Sequence, residues 1–234
     1  SKSILTPKYF KKSFGSKHIK FSATMESAYL HSNYFKADNL VFSHHHKTKS
    51  KNKSILLRFV SWQASHDINQ KGFTNSDIKT LIYELSKVAD VHISSEKNLP
   101  EDINNYAIKI APEKIHHYIK NIDLFIGESG TMATEAAYLG TPAIVLNSAS
   151  HELGIFDWFA KFETFHIADD FNDLLNTAKM FLDTSYLESR SNIAITKIKQ
   201  EELSLTDFLV WFVEKYPQSA HIMKENSDYQ YQFR

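Results

Sequence analysis

The chain has 234 residues, which is enough for one large domain with a buried core. Hydrophobic residues make up 42% and charged residues 23%, and the absence of cysteine excludes disulfides, thiolate nucleophiles and cysteine-ligated zinc. Basic and acidic residues are equal in number, 27 of each, which argues against a general nucleic-acid binder. The sequence contains neither a signal peptide nor an apolar run of the roughly 18 residues that a membrane helix needs, so we expect a cytoplasmic protein without an integral membrane segment.

Charge is divided unevenly along the chain. Residues 1–58 hold twelve basic and two acidic side chains, a net charge of +10, and the rest of the chain carries −10. Such an asymmetry is typical of a surface that faces an anion or an oppositely charged partner. The most basic stretch, residues 44–54, is predicted to be an exposed linker. Its three adjacent histidines would bind a metal only if they converged on one ion, so we expect a solvated loop and no metal site.

Short β-like pieces at residues 3–6 and 17–21 precede this linker. After it, apolar runs of strand length alternate with amphipathic helices. Strands are predicted at residues 55–60, 91–94, 106–110, 124–127, 143–146 and 164–167. Helices are predicted at residues 76–88, 112–119, 131–139, 171–183, 186–200 and 205–216. This alternation predicts right-handed βαβ units and an α/β fold with a doubly wound parallel sheet.

We therefore divide the chain into four parts. Residues 1–43 form an N-terminal segment, and residues 44–54 form the basic linker. Residues 55–202 form a Rossmann-like domain, and residues 203–234 form a C-terminal helix with a polar tail. Few apolar residues occur after residue 217, so we expect the tail to be loosely held.

The segment from residue 124 to residue 146 is the most informative part of the sequence. Three of the six glycines fall within it: Gly127, Gly130 and Gly140. Glycine clustered at a strand-to-helix turn indicates that the backbone approaches a ligand closely. The free N–H groups at the start of the predicted helix would face the crevice at the carboxyl edge of the sheet, which is a natural phosphate site.

Side chains around this turn suit the same ligand. Ser129 and Thr131 add hydroxyl donors, and Glu135 lies four residues after Thr131 on the same helix face. A carboxylate there can accept both hydroxyls of a ribose whose diphosphate binds at the helix start. The alternative is an ordinary turn in which Ser129 only caps the helix and Glu135 is solvated. The helix dipole, hydroxyls and basic side chains can neutralise a diphosphate, so we expect neither a metal nor a cofactor.

The run Ser129-Gly-Thr-Met-Ala-Thr-Glu-Ala136, followed by Leu139-Gly-Thr-Pro142, resembles the nucleotide-sugar signature of the C-terminal domain of GT-B glycosyltransferases. It is especially similar to that of non-hydrolysing UDP-N-acetylglucosamine 2-epimerases. The chain also resembles an uncharacterised prokaryotic family of GT-B-like proteins. That resemblance is carried by Leu5-Thr-Pro7, Glu26-Ser-Ala-Tyr-Leu30, Leu57-Arg-Phe-Val-Ser-Trp-Gln-Ala64 with His66-Asp67, and Ile115-His-His117.

The resemblance implies that the chain binds a nucleoside-diphosphate sugar, UDP-linked, as a substrate. Ser129, Gly130 and Thr131 would then contact the diphosphate while Glu135 holds the ribose. The flanking residues of the turn, Glu128 and Met132, belong to the same predicted site.

The resemblance also implies that residues 1–43 are the tail of an incomplete N-terminal domain, because a whole domain needs roughly 100–150 residues. Acceptor binding and the catalytic base would lie on that missing domain or on a second copy in a homo-oligomer. We therefore expect the isolated chain to be inactive in glycosyl transfer. The alternatives are a non-catalytic nucleotide-sugar-binding half-protein and a UDP-sugar 2-epimerase-like enzyme, although residues 61–67 replace the His-Arg-rich motif of those epimerases.

Further candidates lie near the first strand of the domain. Arg58 and Ser61 are expected to face the crevice, where Arg58 would reach a diphosphate. His66, oriented by Asp67, is the candidate for proton transfer. The alternative is that Arg58 pairs with a carboxylate and His66 caps a helix.

The remaining candidates lie on other loops of the crevice. His116 begins a helix that faces the nucleotide, where it would either stack on the ligand or pack against protein. His151 and Glu152 follow the fifth strand, where the resemblance implies the donor sugar, so we predict that they contact its hydroxyls.

Overall fold

The structure is a computed structural model that describes residues 2–45, 53–61, 72–146 and 154–234. The strands of this part of the chain are β1 (Ile4–Pro7), β2 (His18–Phe21), β3 (Lys53–Phe59), β4 (Ala89–Ser95), β5 (Leu124–Gly127), β6 (Ala143–Val145) and β7 (Phe165–Ile167). Its α-helices are α1 (Ser27–Leu30), α2 (Asn39–His45), α3 (Asn75–Leu85), α4 (Ile115–Ile119), α5 (Gly130–Tyr138), α6 (Gly154–Ala160), α7 (Phe171–Phe181), α8 (Thr184–Glu201), α9 (Leu205–Glu214) and α10 (Gln218–Glu225). Within the described ranges, no helix is long and apolar enough to cross a membrane.

The central sheet has five parallel strands in the order β4-β3-β5-β6-β7. The strand order reverses direction between β3 and β5, where Arg58 is in register with Gly127. Open α/β sheets bind ligands at such a switch point, outside the carboxyl ends of the strands. The topology therefore places the turn after β5 at the expected ligand position.

Helices cover both faces of this sheet, because β3 is apolar on both sides. Ile55 and Leu57 point to a core layer formed with α3 and α7, and Leu56 points to the layer formed with α4, α5, α6 and α8. All three side chains are fully buried. A continuous apolar strand of this kind is typical of a doubly covered parallel sheet. The predicted α/β doubly wound fold is confirmed.

The two ends of the chain form a third apolar cluster. Strands β1 and β2 pair in parallel, and Phe21 packs with Phe208 of α9 and Met223 of α10. The backbone N–H of Ser22 donates to the side-chain oxygen of Gln230 at 2.6 Å. The expectation of a loosely held tail is wrong: α10 and the 3-10 helix Ser227–Phe233 pack against the N-terminal strands.

Two further predictions need correction. Residues 106–110 do not form a strand, because this extended segment lies beside β4 and makes one bridge, between Ile93 and Ala107, before Pro112 starts a 3-10 turn. The predicted linker 44–54 is shorter than expected, since α2 extends to His45 and β3 begins at Lys53. The rest of that linker lies outside the described residues.

Candidate functional site

Helix α5 begins directly after β5, at the switch point of the sheet. Ser129 is its N-cap, and the Ser129 hydroxyl accepts a hydrogen bond from the backbone N–H of Met132 at 3.3 Å. Gly140 ends the helix with a φ of 83°, which favours glycine. Its N–H donates to Ala137 O, and that of Thr141 donates to Ala136 O. Local sequence therefore fixes both ends of α5.

Thr131 and Glu135 lie one helical turn apart on α5, as the spacing predicts. Thr131 is exposed, whereas Glu135 retains only 7% exposure. One carboxylate oxygen of Glu135, Oε1, accepts a hydrogen bond from the Tyr29 hydroxyl at 2.8 Å and lies 3.2 Å from His116 Nε2. The alternative of a solvated Glu135 is therefore wrong: protein donors hold this carboxylate.

Aromatic side chains surround this carboxylate. The rings of Tyr29 and His116 are 5.7 Å apart, and the ring of Phe35 meets His116 edge-on at 6.3 Å. Burial, followed by the hydrogen bond to Glu135, raises the pKa of Tyr29 above its usual value. Tyr29 therefore stays protonated and donates to Glu135 at neutral pH. His116 packs between these aromatic rings rather than standing alone in the crevice.

Glu128 lies at the centre of the switch point, with only 1% of its surface exposed. Its carboxylate accepts hydrogen bonds from the backbone N–H of Val60, at 2.8 Å, and from that of Phe73. Lys97 Nζ lies 3.2 Å from both of its oxygens. These contacts join the segments after β3, before α3 and after β4. Glu128 thus holds the loops of the carboxyl edge together, and its direct contact with a nucleotide sugar stays a prediction.

Arg58 pairs with a carboxylate, which is the alternative that the sequence analysis left open. Its guanidinium forms an ion pair with Glu96 and donates to Ser94 Oγ at 2.9 Å. The second oxygen of Glu96 accepts from the Ser61 N–H at 3.2 Å. Arg58 and Ser61 are therefore together at the switch point. Contact between Arg58 and a diphosphate, which stays a prediction, would have to compete with Glu96.

Gly130 has a packing role that the sequence does not reveal. A Cβ built at this position would lie 2.7 Å from Cζ of Phe156, a buried ring on α6. Such a distance is too short for an unstrained contact, so α5 and α6 require glycine here. Substituting Gly130 therefore tests helix packing as well as access for a phosphate.

The structure links Arg58 with Ser61 through Glu96 at the switch point, where Glu128 also lies. His116 contacts Glu135 further along α5. His66 and Asp67, like His151 and Glu152, lie outside the described residues.

Sequence reasoning missed Tyr29. A local pattern was present, since Tyr29 follows Glu26 by three residues, a spacing that places both on one helical face. Both residues contact α5, because Glu26 accepts a hydrogen bond from the Thr134 hydroxyl at 2.6 Å.

Known structures share this architecture at low sequence identity. Spinosyn forosaminyltransferase SpnP has a TM-score of 0.54 at 12% identity, covering 91% of this chain and 54% of that one. A candidate UDP-N-acetylglucosamine 2-epimerase from Listeria monocytogenes has a TM-score of 0.53 at 14% identity, covering 78% of this chain and 48% of that one. The chain thus has a GT-B-like fold and spans about half the length of the solved structures that it matches.

The comparison with curated proteins found no match. Among family models, the one described as "Protein of unknown function (DUF354)" matches residues 2–209. This match extends from β1 into α9 and includes both the switch point and α5. The chain therefore belongs to the DUF354 family, whose member here has a GT-B-like fold.

Proposed function

We propose that this chain is the nucleotide-sugar-binding part of a GT-B-like glycosyltransferase and binds a UDP-linked sugar at the start of α5. One observation carries the proposal: exposed Thr131 and the carboxylate of Glu135 lie one turn apart at the switch point, and Tyr29 and His116 hold that carboxylate in place. An ordinary strand–turn–helix does not require a buried, oriented carboxylate at this position.

The first turn of α5 offers donors to a diphosphate. The first four N–H groups of a helix have no acceptor within it, and Ser129 takes the one of Met132. The N–H groups of Gly130 and Thr131 then remain for phosphate oxygens, together with the Thr131 hydroxyl. The positive end of the helix dipole favours the same anion.

Glu135 suits a ribose because both of its contacts use the same oxygen. Tyr29 and His116 approach Oε1, which leaves Oε2 to accept from the ribose hydroxyls. The hydrogen bond from Tyr29 and the close approach of His116 Nε2 to Oε1 restrict the rotation of the carboxylate before the ligand arrives. A group oriented in advance loses less conformational entropy on binding.

Whether the chain also transfers the sugar depends on groups beyond α5. We retain the prediction that the isolated chain is inactive, with His66 and Asp67 as the candidates for proton transfer. The chain spans about half of the structures that it resembles, and a half-protein that needs another domain or a second copy stays an alternative proposal. The Listeria neighbour supports the third possibility, an epimerase-like reaction, which incubation with UDP-N-acetylglucosamine and product analysis would detect.

Isothermal titration with UDP, GDP, CDP and their sugars tests the binding proposal. We expect UDP and a UDP-sugar to bind the wild-type chain and Glu135→Gln to bind them more weakly by roughly 1–3 kcal/mol, because charged hydrogen bonds to the ribose are lost. Glu113→Gln is the matched control, since it removes the same charge from an exposed position before α4. A folded Glu135→Gln variant with wild-type affinity, or the absence of nucleotide binding to the wild type, would contradict the proposal.

A further inference from the structure

A cavity of about 330 Å³ lies at the opposite end of α5 from the candidate nucleotide site. It is lined by Tyr138 and Leu139 of that end, by the segment after α1 and by α8. A helix rises 1.5 Å per residue, so Tyr138 lies roughly 12 Å along the axis from Gly130. The cavity is therefore separate from the start of α5, and its volume is at the lower end of the range typical of small-molecule sites.

One side of this cavity is apolar. Leu30, Leu139 and Ile198 contribute to its wall and belong to the buried layer on that face of the sheet. Phe35 and Ile195 extend the same wall. This surface suits a short aliphatic or aromatic body.

The other side is cationic. Lys120, Lys199, His31 and Arg234 all line the cavity. Burial is the main cause that lowers the pKa of both Lys120 and His31, and the nearby charge of Lys199 lowers each of them further. His31 is therefore mainly neutral at neutral pH, whereas Lys120 and Lys199, from two different segments, are cations within electrostatic reach of each other.

Acidic groups near these cations offset only part of their charge. Glu202 also lines the cavity, but burial raises its pKa to about 8, so this carboxyl is mainly protonated at neutral pH. Asp207, which lies near His31, accepts hydrogen bonds from Tyr34 and Asn33, which lower its pKa, so it stays ionised and offsets one positive charge. The cavity therefore retains a positive charge, which an anion would offset.

Glu202 offers a further polar contact. Its Oε2 accepts a hydrogen bond from the backbone N–H of Thr24 at 2.5 Å, whereas its Oε1 is buried and has no hydrogen-bond partner among the described residues. In its protonated form this carboxyl is a hydrogen-bond donor at the wall of the cavity. Buried polar atoms without a partner are rare and point to a group that completes them.

We propose that this cavity binds a small amphiphilic anion. Its phosphate or carboxylate head lies between Lys120 and Lys199, and its short apolar body packs against Leu30, Leu139 and Ile198. This site does not rest on the proposed nucleotide function, because its charged side chains, Lys120 and Lys199, are not part of the candidate nucleotide site; Phe35 borders both sites.

Isothermal titration with octyl phosphate, below its micelle concentration, tests the proposal. Inorganic phosphate and 1-octanol, each carrying half of the probe's chemistry, are expected to bind at least about tenfold more weakly than octyl phosphate. Lys199→Glu should weaken octyl phosphate binding by about tenfold or more, because it replaces a cationic hydrogen-bond donor with a carboxylate that repels the phosphate. Lys197→Glu makes the same change in charge at an exposed position on a different face of α8, outside this cavity, and should retain wild-type affinity.

Thermal unfolding of each variant separates loss of the site from loss of the fold. A parallel sedimentation assay with phosphatidic acid vesicles distinguishes a membrane lipid from a soluble ligand as the source of the anion. Binding that depends on Lys199 but not on Lys197, in either assay, supports the proposal. Equal effects of the two substitutions, or no binding of octyl phosphate and no sedimentation with vesicles, would overturn it.

Discussion

Glu128 lies just before α5 and Glu135 lies within it, and both are buried, but they are held in different ways. Glu128 is bound by backbone N–H groups of two segments and by Lys97 of a third. Glu135 is bound by the side chains of Tyr29 and His116, and Tyr29 itself is 42% exposed. Backbone donors cannot leave without moving the loops, whereas an exposed tyrosine can rotate away.

This difference predicts that Glu128 matters mainly for the fold and Glu135 mainly for the proposed ligand binding. The contacts of Glu128 fix the carboxyl edge of the sheet, so its removal should disturb the fold. The contacts of Glu135 orient a carboxylate beside an exposed helix start, so its removal should disturb binding more than folding. The following predictions test this contrast, from the largest expected effect to the smallest.

Glu128→Gln should lower the free energy of unfolding by about 3–5 kcal/mol, because it leaves Lys97 without a buried partner and turns an amide N–H₂ towards backbone donors. Urea unfolding followed by circular dichroism measures the change. The control is Glu101→Gln, which alters an exposed carboxylate and should leave stability unchanged. A loss no greater than that of the control would mean that the loops do not depend on Glu128.

Glu202 is a third buried carboxyl to compare with Glu128 and Glu135, and one of its two oxygens has no hydrogen-bond donor among the described residues. Its pKa rises from 4.5 to about 8 on folding, mainly through burial. Between these values the folded protein retains a proton that the unfolded chain has released, so stability decreases as the pH rises. Between pH 5 and pH 8, the titration of Glu202 should lower the free energy of unfolding by about 3 kcal/mol.

Chemical denaturation at a series of pH values tests this effect. Glu202→Gln does not titrate, so its stability should fall less steeply with pH than that of the wild type. The difference between the two slopes isolates Glu202 from histidines such as His31, whose lowered pKa acts in the opposite direction. Parallel slopes would show that the carboxyl does not retain its proton on folding.

Gly130→Ala sharpens the contrast at the turn itself. The added methyl group would meet the ring of Phe156 at 2.7 Å, so we expect a loss of about 1–2 kcal/mol through overpacking. Thermal unfolding of Gly130→Ala in the wild-type and the Phe156→Leu backgrounds measures the coupling between the two positions. The cost should shrink in the Phe156→Leu background. An equal cost in both would place the strain elsewhere than at Phe156.

Tyr29→Phe should have the smallest effect. It removes one hydrogen bond to a buried carboxylate and should cost about 1 kcal/mol in urea unfolding. Tyr34→Phe, five residues further on, removes a hydrogen bond to Asp207 at the surface and should cause no measurable change. If the two variants are equally stable, the contact between Tyr29 and Glu135 contributes nothing to the fold.

The parts that sequence predicted well depend on local patterns. The apolar run of β3 and the glycines around α5 indicate a buried strand and a strand–turn–helix, and both are present. The spacing of Thr131 and Glu135 also follows from helix geometry alone. The partners of Glu135 do not, because the Tyr29 hydroxyl comes from a residue 106 positions away.

The prediction failed where local patterns were ambiguous. Alternating apolar residues at 106–110 pack beside β4 without forming a ladder, so the alternation reports burial rather than strand pairing. Helix α10 has only three buried residues, Ser219, Ala220 and Met223, and two of them are small. Its sequence therefore lacks an apolar stripe, and its position depends on contacts with β2.

The pairing of the two chain ends also has a consequence for synthesis. The hydrogen bond between Ser22 and Gln230 spans 208 residues, and Phe21 packs against α9 and α10 from the far end of the chain. During synthesis, β1 and β2 therefore leave the ribosome about 200 residues before the segments that cover them. Contacts of such long separation form slowly, and exposed apolar strands favour aggregation meanwhile. We therefore expect β1 and β2 to need chaperone protection longer than the five-stranded sheet, whose strands lie closer together in sequence.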